Sequence, residues 1–453
     1  MRANELFVIG IGKDPTHIDA CTRTYKKPDA LFTVNSTNYV DPETRDTAFG
    51  EFLTPPESMP LSEPILHSIL AVDNYLPPEF LHPDVPRETL LRSIGNFRRA
   101  FLDCVASAGR KKVVMNTYFN SPFVENFRKQ GYIVTGPNEK IVEQFSSKTM
   151  AYRLAQSLGI PVPEGNVVDS LDSVATLFKE LVQKYGSAFV SSDKGSGGKN
   201  SLRISNVEQL RAFNEHPPFL VTGWMEKLAS PNSLVLIGND QVLYVGLTDQ
   251  IIKKDVLYYG NSYPSKLAPD QQQRIETFSL MLGRAMQKRG YRGFAGFDWI
   301  ATAEGAEYFS EINPRKNRSS SMLISYLDTH RDPGTPSLTE LEMLTTLGEE
   351  WNTLPESSPP NLHWAMQLYK THGKAVVKNT IRPQFDDRSI FQGAGNDDRV
   401  SILNFPRAGT TLSQFPQMHD LARIIAVGRS GDAVSQLIAT ARATIRDSYQ
   451  KKS

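Results

Sequence analysis

Residues 293–315 read GFAGFDWIATAEGAEYFSEINPR. Two runs of alternating apolar residues, 294–301 and 306–312, flank a short AEG turn, Ala303 to Gly305, whose glycine suits a left-handed backbone. The pattern predicts an antiparallel hairpin. Asp298 and Glu311 sit thirteen positions apart on its two strands, so pairing can bring both carboxylates to one face. Glu311 and Asn313 are two apart on one strand and share a face. Three converging oxygen donors suit Mg²⁺, a hard cation that takes one or two carboxylates and completes its shell with water and phosphate oxygens. An isolated acidic pair is more often plain solvated surface. Here Arg315 and Arg318 follow at once, in NPRKNRSSS. Arginine beside a metal site is suited to a phosphate or to a developing oxyanion, the plainer alternative being a solvated basic loop.

Upstream, DKGSGGKNS (193–201) separates apolar strands predicted over 187–192 and 201–205. Backbone N–H groups of a Gly-rich turn such as Ser196-Gly197-Gly198 can wrap phosphate oxygens, and Lys194 and Lys199 add charge. The spacing is not that of a Walker A loop. No helix follows, which argues against a dinucleotide fingerprint. Taken alone, the segment could equally be a simple hairpin tip. Lys148 opens a helix predicted over 146–158, with Ser146 or Ser147 as cap and Gly159 as stop.

The remaining chain divides coarsely into three. Residues 1–135 predict a small α/β domain with parallel strands at 6–11, 113–115 and 132–134 and a helix at 122–130; nine prolines between 41 and 90 mark an insertion. Residues 136–345 predict the central portion, with a helix at 171–185, strands at 219–225, 233–238, 241–250 and 257–259, and a helix at 270–289. After PESSPP (355–360), residues 346–453 close with strands near 362–369, 375–378, 410–414 and 423–427 and a helix at 432–449.

Composition sets the outer bounds. The 453 residues carry 50 Lys+Arg against 49 Asp+Glu, a net charge of +1, which excludes a protein-wide basic field for nucleic acid or anionic membrane. Two cysteines, Cys21 and Cys104, exclude a disulfide framework and lead us to expect a reducing, cytoplasmic setting. No run approaches the roughly 18 apolar residues of a membrane span, and no secretion signal is read at the start. The eight histidines show no zinc-ligand spacing, and no G-x-S-x-G nucleophile element is present.

In this order, Lys148 before LAQSLGIPVP, the Gly-rich hairpin 193–201, LVTGWMEK at 220–227 and Asp298 thirteen before Glu311 in EINPR, the residues resemble the ATP-grasp superfamily. The resemblance is strong over 135–325. It implies an ATP-grasp fold: an N-terminal α/β domain, a two-lobed α+β nucleotide-binding region and a C-terminal strand-helix tail. It implies ATP held by Lys148, Lys194, Ser196, Gly197, Gly198 and Lys199, with backbone groups of Gly223, Trp224, Met225 and Glu226 facing the adenine. Asp298, Glu311 and Asn313 would bind Mg²⁺, with Mn²⁺ as the alternative ion, and Arg315 and Arg318 would be catalytic. The implied reaction activates a carboxylate as an acylphosphate and joins it to an amine. EINPRKNRSS resembles the subgroup of the pheganomycin-type peptide ligase, and related mycosporine-glycine enzymes would use a phosphorylated enol instead. The implied partners are small molecules, an acid or enol and an amine, with a homodimer as the default assembly. One departure stands out: the strand before the Gly-rich loop reads FVSSDKG, with Ser191 and Ser192 where the family carries a lysine. That departure favours a rival reading, a regulatory protein that binds ATP without ligation. Lys253, Tyr259 and Asn261, with Tyr258 and Tyr263, are candidate substrate contacts, because aromatic and amide groups on a loop can shape a pocket.

Overall fold

The computed structural model describes residues 6–12, 30–33, 39–40, 105–117, 122–195, 200–213, 215–253, 257–371, 375–385, 389–395, 397–403, 405, 408–409, 411–412 and 419–451. The chain divides into two compact units, one formed by Met1–Gly136 with Arg318–Ser453, the other by Pro137–Asn317. The proline-rich segment 41–90 lies outside the described residues.

In the first unit, β1 (Leu6–Gly12) pairs in parallel with β2 (Ala30–Thr33) and with β4 (Lys112–Thr117). The short β3 is Tyr39–Val40, and α1 (Pro122–Lys129) leads to β5 (Ile133–Val134), which extends the sheet in the order β2-β1-β4-β5. The apolar runs expected at 6–11, 113–115 and 132–134 are thus the parallel strands. Val114 and Met115 are fully buried, as strands covered on both faces require.

The second unit opens with α2 (Glu139–Phe145), capped by Asn138, and α3 (Lys148–Ser157), capped by Ser147. Next come β6 (Gly165–Val168), α4 (Leu171–Tyr185), β7 (Ala188–Ser192), β8 (Ser201–Ile204) and β9 (Phe219–Gly223). Their antiparallel sheet has the order β6-β9-β7-β8. One face packs on α4 through Val174, Phe178, Leu181, Ala188, Val190 and Val221. Phe189 and Ser191 therefore point the other way.

A larger antiparallel run follows. It consists of β10 (Pro231–Ile237), β11 (Val242–Lys253), β12 (Leu257–Tyr263), β13 (Gly293–Ala301) and β14 (Glu307–Asn313), in the order β14-β13-β10-β11-β12. Its apolar face packs on α5 (Pro269–Lys288) and α3 around Phe297, Trp299, Phe309 and Ile312. Trp299 buries its indole N–H by donating to Ser233 at 2.9 Å. The expected hairpin turns at Thr302–Ala306, with Gly305 at φ +84°. YYGNSYP departs from expectation: strand β12 runs through Tyr263 instead of stopping at 259. Five residue pairs with β11 outweigh the turn-like composition.

The first unit resumes with α6 (Arg318–Thr329) and α7 (Leu338–Thr346). The alternative of a basic loop at NPRKNRSSS is therefore corrected from Arg318 onward. β15 (His363–Thr371), β16 (Ala375–Val377), β17 (Arg399–Leu403), β18 (Thr411–Leu412), β19 (His419–Gly428), α8 (Gly431–Asp447) and β20 (Tyr449–Lys451) complete the chain. α8 covers β15, β19 and β17 through Val434, Ile438, Ala441 and Ile445. Among the described residues, no helix is long and apolar enough to cross a membrane.

Phe297 is fully buried beneath the carboxylate strand. Phe297→Ala should destabilise the protein by about 3–5 kcal/mol. A lowered urea midpoint with an unchanged slope would show it; an unmoved midpoint would place the core elsewhere.

Candidate active site

The hairpin register decides the geometry. Asp298 pairs directly with Glu311, and Gly296 with Asn313. Directly opposed residues project from the same face, here the face away from the Phe297–Trp299 core. A bulge beyond Asp298 absorbs Ser310, so Trp299 pairs with Phe309 and the aromatic side stays in phase. Asn313 donates from Nδ2 to Asp298 Oδ2 at 3.0 Å. Arg315 reaches back with Nη2 at 3.4 Å from Asn313 Oδ1. The sheet thus brings together four of the expected residues: Asp298, Glu311, Asn313 and Arg315. Arg318 begins α6 in the other unit, and its side chain lies outside the described residues.

Burial first, and the charge of the facing Glu311 second, push the Asp298 carboxyl well above its ordinary value, against hydrogen bonds from Asn232 and Asn313 that favour the anion. Two carboxylates in this arrangement repel unless a proton or a cation lies between them. Among the described residues there is no cluster of three or more His, Cys, Asp and Glu. The donor set is two carboxylates and an amide oxygen, which fits Mg²⁺ sharing its shell with phosphate and water.

The amides around Asp298 escaped the sequence reading. Asn232 and Gln250 both donate to Oδ1, the latter at 2.6 Å. Asn317 Nδ2 donates in turn to Asn232 Oδ1 at 2.8 Å. Gly296 admits that contact, because a Cβ there would lie 2.5 Å from Asn317 Nδ2. The one available signal was polar residues on strands otherwise rich in Val, Leu and Ile.

The Gly-rich hairpin is fixed at its neck. Lys148 N–H donates to the Asp193 carbonyl at 3.0 Å. Asp193 Oδ1 accepts from Ser147 Oγ at 2.6 Å, Thr149 Oγ1 at 2.6 Å and Thr149 N–H at 3.1 Å. Asp193 therefore satisfies the N-terminus of α3 from the far side of the hairpin. Burial alone would raise its carboxyl; the Ser147 and Thr149 hydrogen bonds outweigh that and hold it below the ordinary value. Lys148 Nζ donates to Ser201 Oγ at 3.2 Å, on the sheet face that also carries Ser191 and Arg203. Ser191 is fully buried, and its Oγ has no partner. Lys194 is exposed, 4.0 Å from Glu143. Ser196, Gly197, Gly198 and Lys199 lie outside the described residues.

At the end of β9, two of the backbone N–H groups in the expected adenine-facing stretch are paired. Gly223 N–H donates to the Glu164 carbonyl at 2.8 Å and Trp224 N–H to that of Ser187 at 3.0 Å. The N–H groups of these two residues are therefore engaged within the sheet and its flank. Trp224 is roofed by Arg203, 4.4 Å from its ring, and donates to Glu226, which also pairs with Arg203 at 3.1 Å. Lys253 lies 4.6 Å over the Tyr259 ring. Asn261 is buried within β12, donating to Thr248 at 3.1 Å and accepting from Tyr258. Its amide is spent inside the sheet, which corrects the picture of a loop residue free for substrate.

Residues 145–319 match the family model of the ATP-grasp domain. This segment has the ATP-grasp fold. The ATP-grasp fold extends further. The biotin carboxylase domain of Hydrogenobacter thermophilus 2-oxoglutarate carboxylase, solved with MgADP, is 16% identical with a TM-score of 0.58, over 82% of this chain and 80% of that one. Carboxyaminoimidazole ribonucleotide synthase from Aspergillus clavatus, solved with ATP, is 11% identical with a TM-score of 0.56, over 98% of this chain and 100% of that one. Among curated sequences, a [butirosin acyl-carrier protein]–L-glutamate ligase of Niallia circulans is 22% identical over 180 residues, 38% of this chain and 43% of that protein. The arginine-specific carbamoyl phosphate synthase large chain of Geobacillus stearothermophilus is 23% identical over 204 residues, 43% of this chain and 19% of that one. The match thus spans less than half the length of either curated relative.

Asp193→Ala should cost about 0.5–2 kcal/mol at neutral pH, the usual range for a lost helix cap. Because the Asp193 carboxyl is depressed, its contribution is present above the unfolded value near ~4 and fades as pH falls through the folded one. Urea titrations of both proteins should therefore show a gap at pH 7 that narrows toward pH 3. A gap independent of pH would remove the carboxylate from the neck.

Proposed function

We propose that the chain is an ATP- and Mg²⁺-dependent, ADP-forming ligase that activates a carboxylate as an acylphosphate and joins it to an amine. The observation that carries the reading is the Asp298–Glu311 pair, opposed in register with Asn313 and Arg315 beside it, inside an ATP-grasp domain. Asp298, Glu311 and Asn313 would hold the Mg²⁺. The ion, when bound, neutralises charge on the β- and γ-phosphates; Mn²⁺ is the expected substitute.

In the first step a substrate carboxylate oxygen attacks the γ-phosphorus and ADP departs. In the second, the amine nitrogen attacks the acyl carbon, loses a proton, and phosphate leaves. Arg315, beside Asn313, is placed to steady the oxyanion that develops. The hairpin 193–201, fixed at its neck by Asp193, would cover the phosphates and keep water from the acylphosphate. The Niallia circulans relative joins L-glutamate, by its name, to a carrier protein. That supports an amino acid among the substrates. Small-molecule partners, a homodimer and a cytoplasmic location belong to the same proposal.

A second reading has its own observation. Ser191 and Ser192 occupy the strand position of the family's lysine, and Ser191 Oγ is unpartnered. A protein that binds ATP and never turns it over would fit that substitution.

Coupled ADP-release assays over carboxylate–amine pairs, with a cyclohexenone plus glycine as the enol arm, separate these readings. Ligation predicts ADP release that requires both substrates and falls by at least about 10²-fold in Glu311→Ala and Asn313→Ala, with unchanged circular dichroism. Full activity in either variant would overturn the metal assignment. ATP binding without ADP across the whole panel would favour the regulatory reading.

A further inference from the structure

The three amide hydrogen bonds to Asp298 are unequally shared, and the inequality assigns its two oxygens different tasks. Oδ1 accepts two amide N–H groups, from Asn232 and Gln250. A carboxylate oxygen has two lone pairs, so Oδ1 is filled. Oδ2 accepts one amide, that of Asn313 at 3.0 Å, and so keeps a lone pair. We propose that Gln250 is a positioning residue for the cation: with Asn232 it locks the Asp298 carboxylate so that Oδ2 alone is presented to the metal. The proposal rests on the metal reading given above.

The geometry explains the residue types. Asn232 on β10 lies directly opposite Asp298 on β13 and opposite Thr248 on β11, so a short amide reaches. Gln250 stands two residues beyond Thr248, with Ser230 accepting its backbone N–H at 2.8 Å. Its side chain crosses the whole width of β10 to reach Asp298 on the next strand, which is a task for glutamine and its extra methylene. The direction of the Asn232 amide is also set. Its oxygen is taken by Asn317 Nδ2 at 2.8 Å, which turns its nitrogen toward Asp298. Asn317→Asn232→Asp298 is thus one directed chain, and Gln250 is its second arm. With a single amide on Oδ1 and Asn313 on Oδ2, the carboxylate would be held less firmly against rotation about χ2, which exchanges the oxygens. Outer partners of this kind usually contribute 10–100-fold to metal affinity.

The test is Mn²⁺ binding to the full chain without nucleotide, read from the loss of the free-ion electron paramagnetic resonance signal, together with metal-free melting temperatures. Wild type should bind and Glu311→Ala should not. Gln250→Leu removes the donor at similar volume, and Gln250→Asn keeps the amide but withdraws its reach. Both should bind Mn²⁺ about 10–100-fold more weakly, whatever their melting temperatures. A residue that merely fills space would change melting and leave Mn²⁺ affinity alone, and that result in either variant would overturn the proposal. Should wild type itself take up no Mn²⁺, the metal reading falls and this inference falls with it. Normal uptake by wild type alongside normal uptake by the Gln250 variants would defeat the inference alone.

Discussion

Two carboxylates forced side by side on neighbouring strands repel, and most of the second unit can be read as the structure required to hold Asp298 and Glu311 in that position. Backbone pairing sets their separation and leaves no freedom to splay. The opposite face buries Phe297, Trp299, Phe309 and Ile312, so a slip of one residue would drive charges into the core and aromatics into solvent. The apolar side of the hairpin therefore guarantees the register of its polar side. What remains is a carboxylate pair in a largely buried setting, satisfied in part by amides and, on the proposed reading, completed by a cation.

The amides answer the same constraint. A buried anion is tolerated when hydrogen bonds surround it, and here they come from three further strands or their ends: Asn232, Gln250 and Asn313, with Asn317 behind Asn232. At the other sheet, Asp193 plays a simpler role. Its carboxylate caps α3 across 44 residues of sequence, tying the base of the Gly-rich hairpin to the helix that begins with Lys148. Lys148 and Ser201 then meet on the face opposite the α4 core.

Much of this was legible in the sequence, for identifiable reasons. Alternation over 294–312 with a Gly-containing turn specifies a hairpin, and the thirteen-residue spacing places Asp298 against Glu311. The strands and helix of the first 135 residues announced themselves as apolar runs and 3.6-residue spacing. β12 did not, because Tyr258 to Tyr263 has the composition of a turn, and pairing with β11 overrode it. α6 begins Arg-Ser-Ser-Ser; its serines favour caps and turns over helix interiors, so no helix was expected there. α2 was missed although Asn138-Glu139 is an ordinary helix-start signal. Asn232, Gln250 and Asn317 belong to no motif. Their meaning arises from cross-strand neighbours 48 to 85 residues away, which no local pattern encodes.

On the proposed reading, Asp298 and Glu311 grip a nucleotide-bound divalent cation. A crystal grown with Mn²⁺ and a non-hydrolysable ATP analogue, with anomalous data collected at the manganese edge, tests it most directly. The expected result is an anomalous peak within coordination distance of Asp298 Oδ2 and Glu311, with the analogue's terminal phosphates completing the shell. A bound analogue whose metal peak lies away from both carboxylates would contradict it.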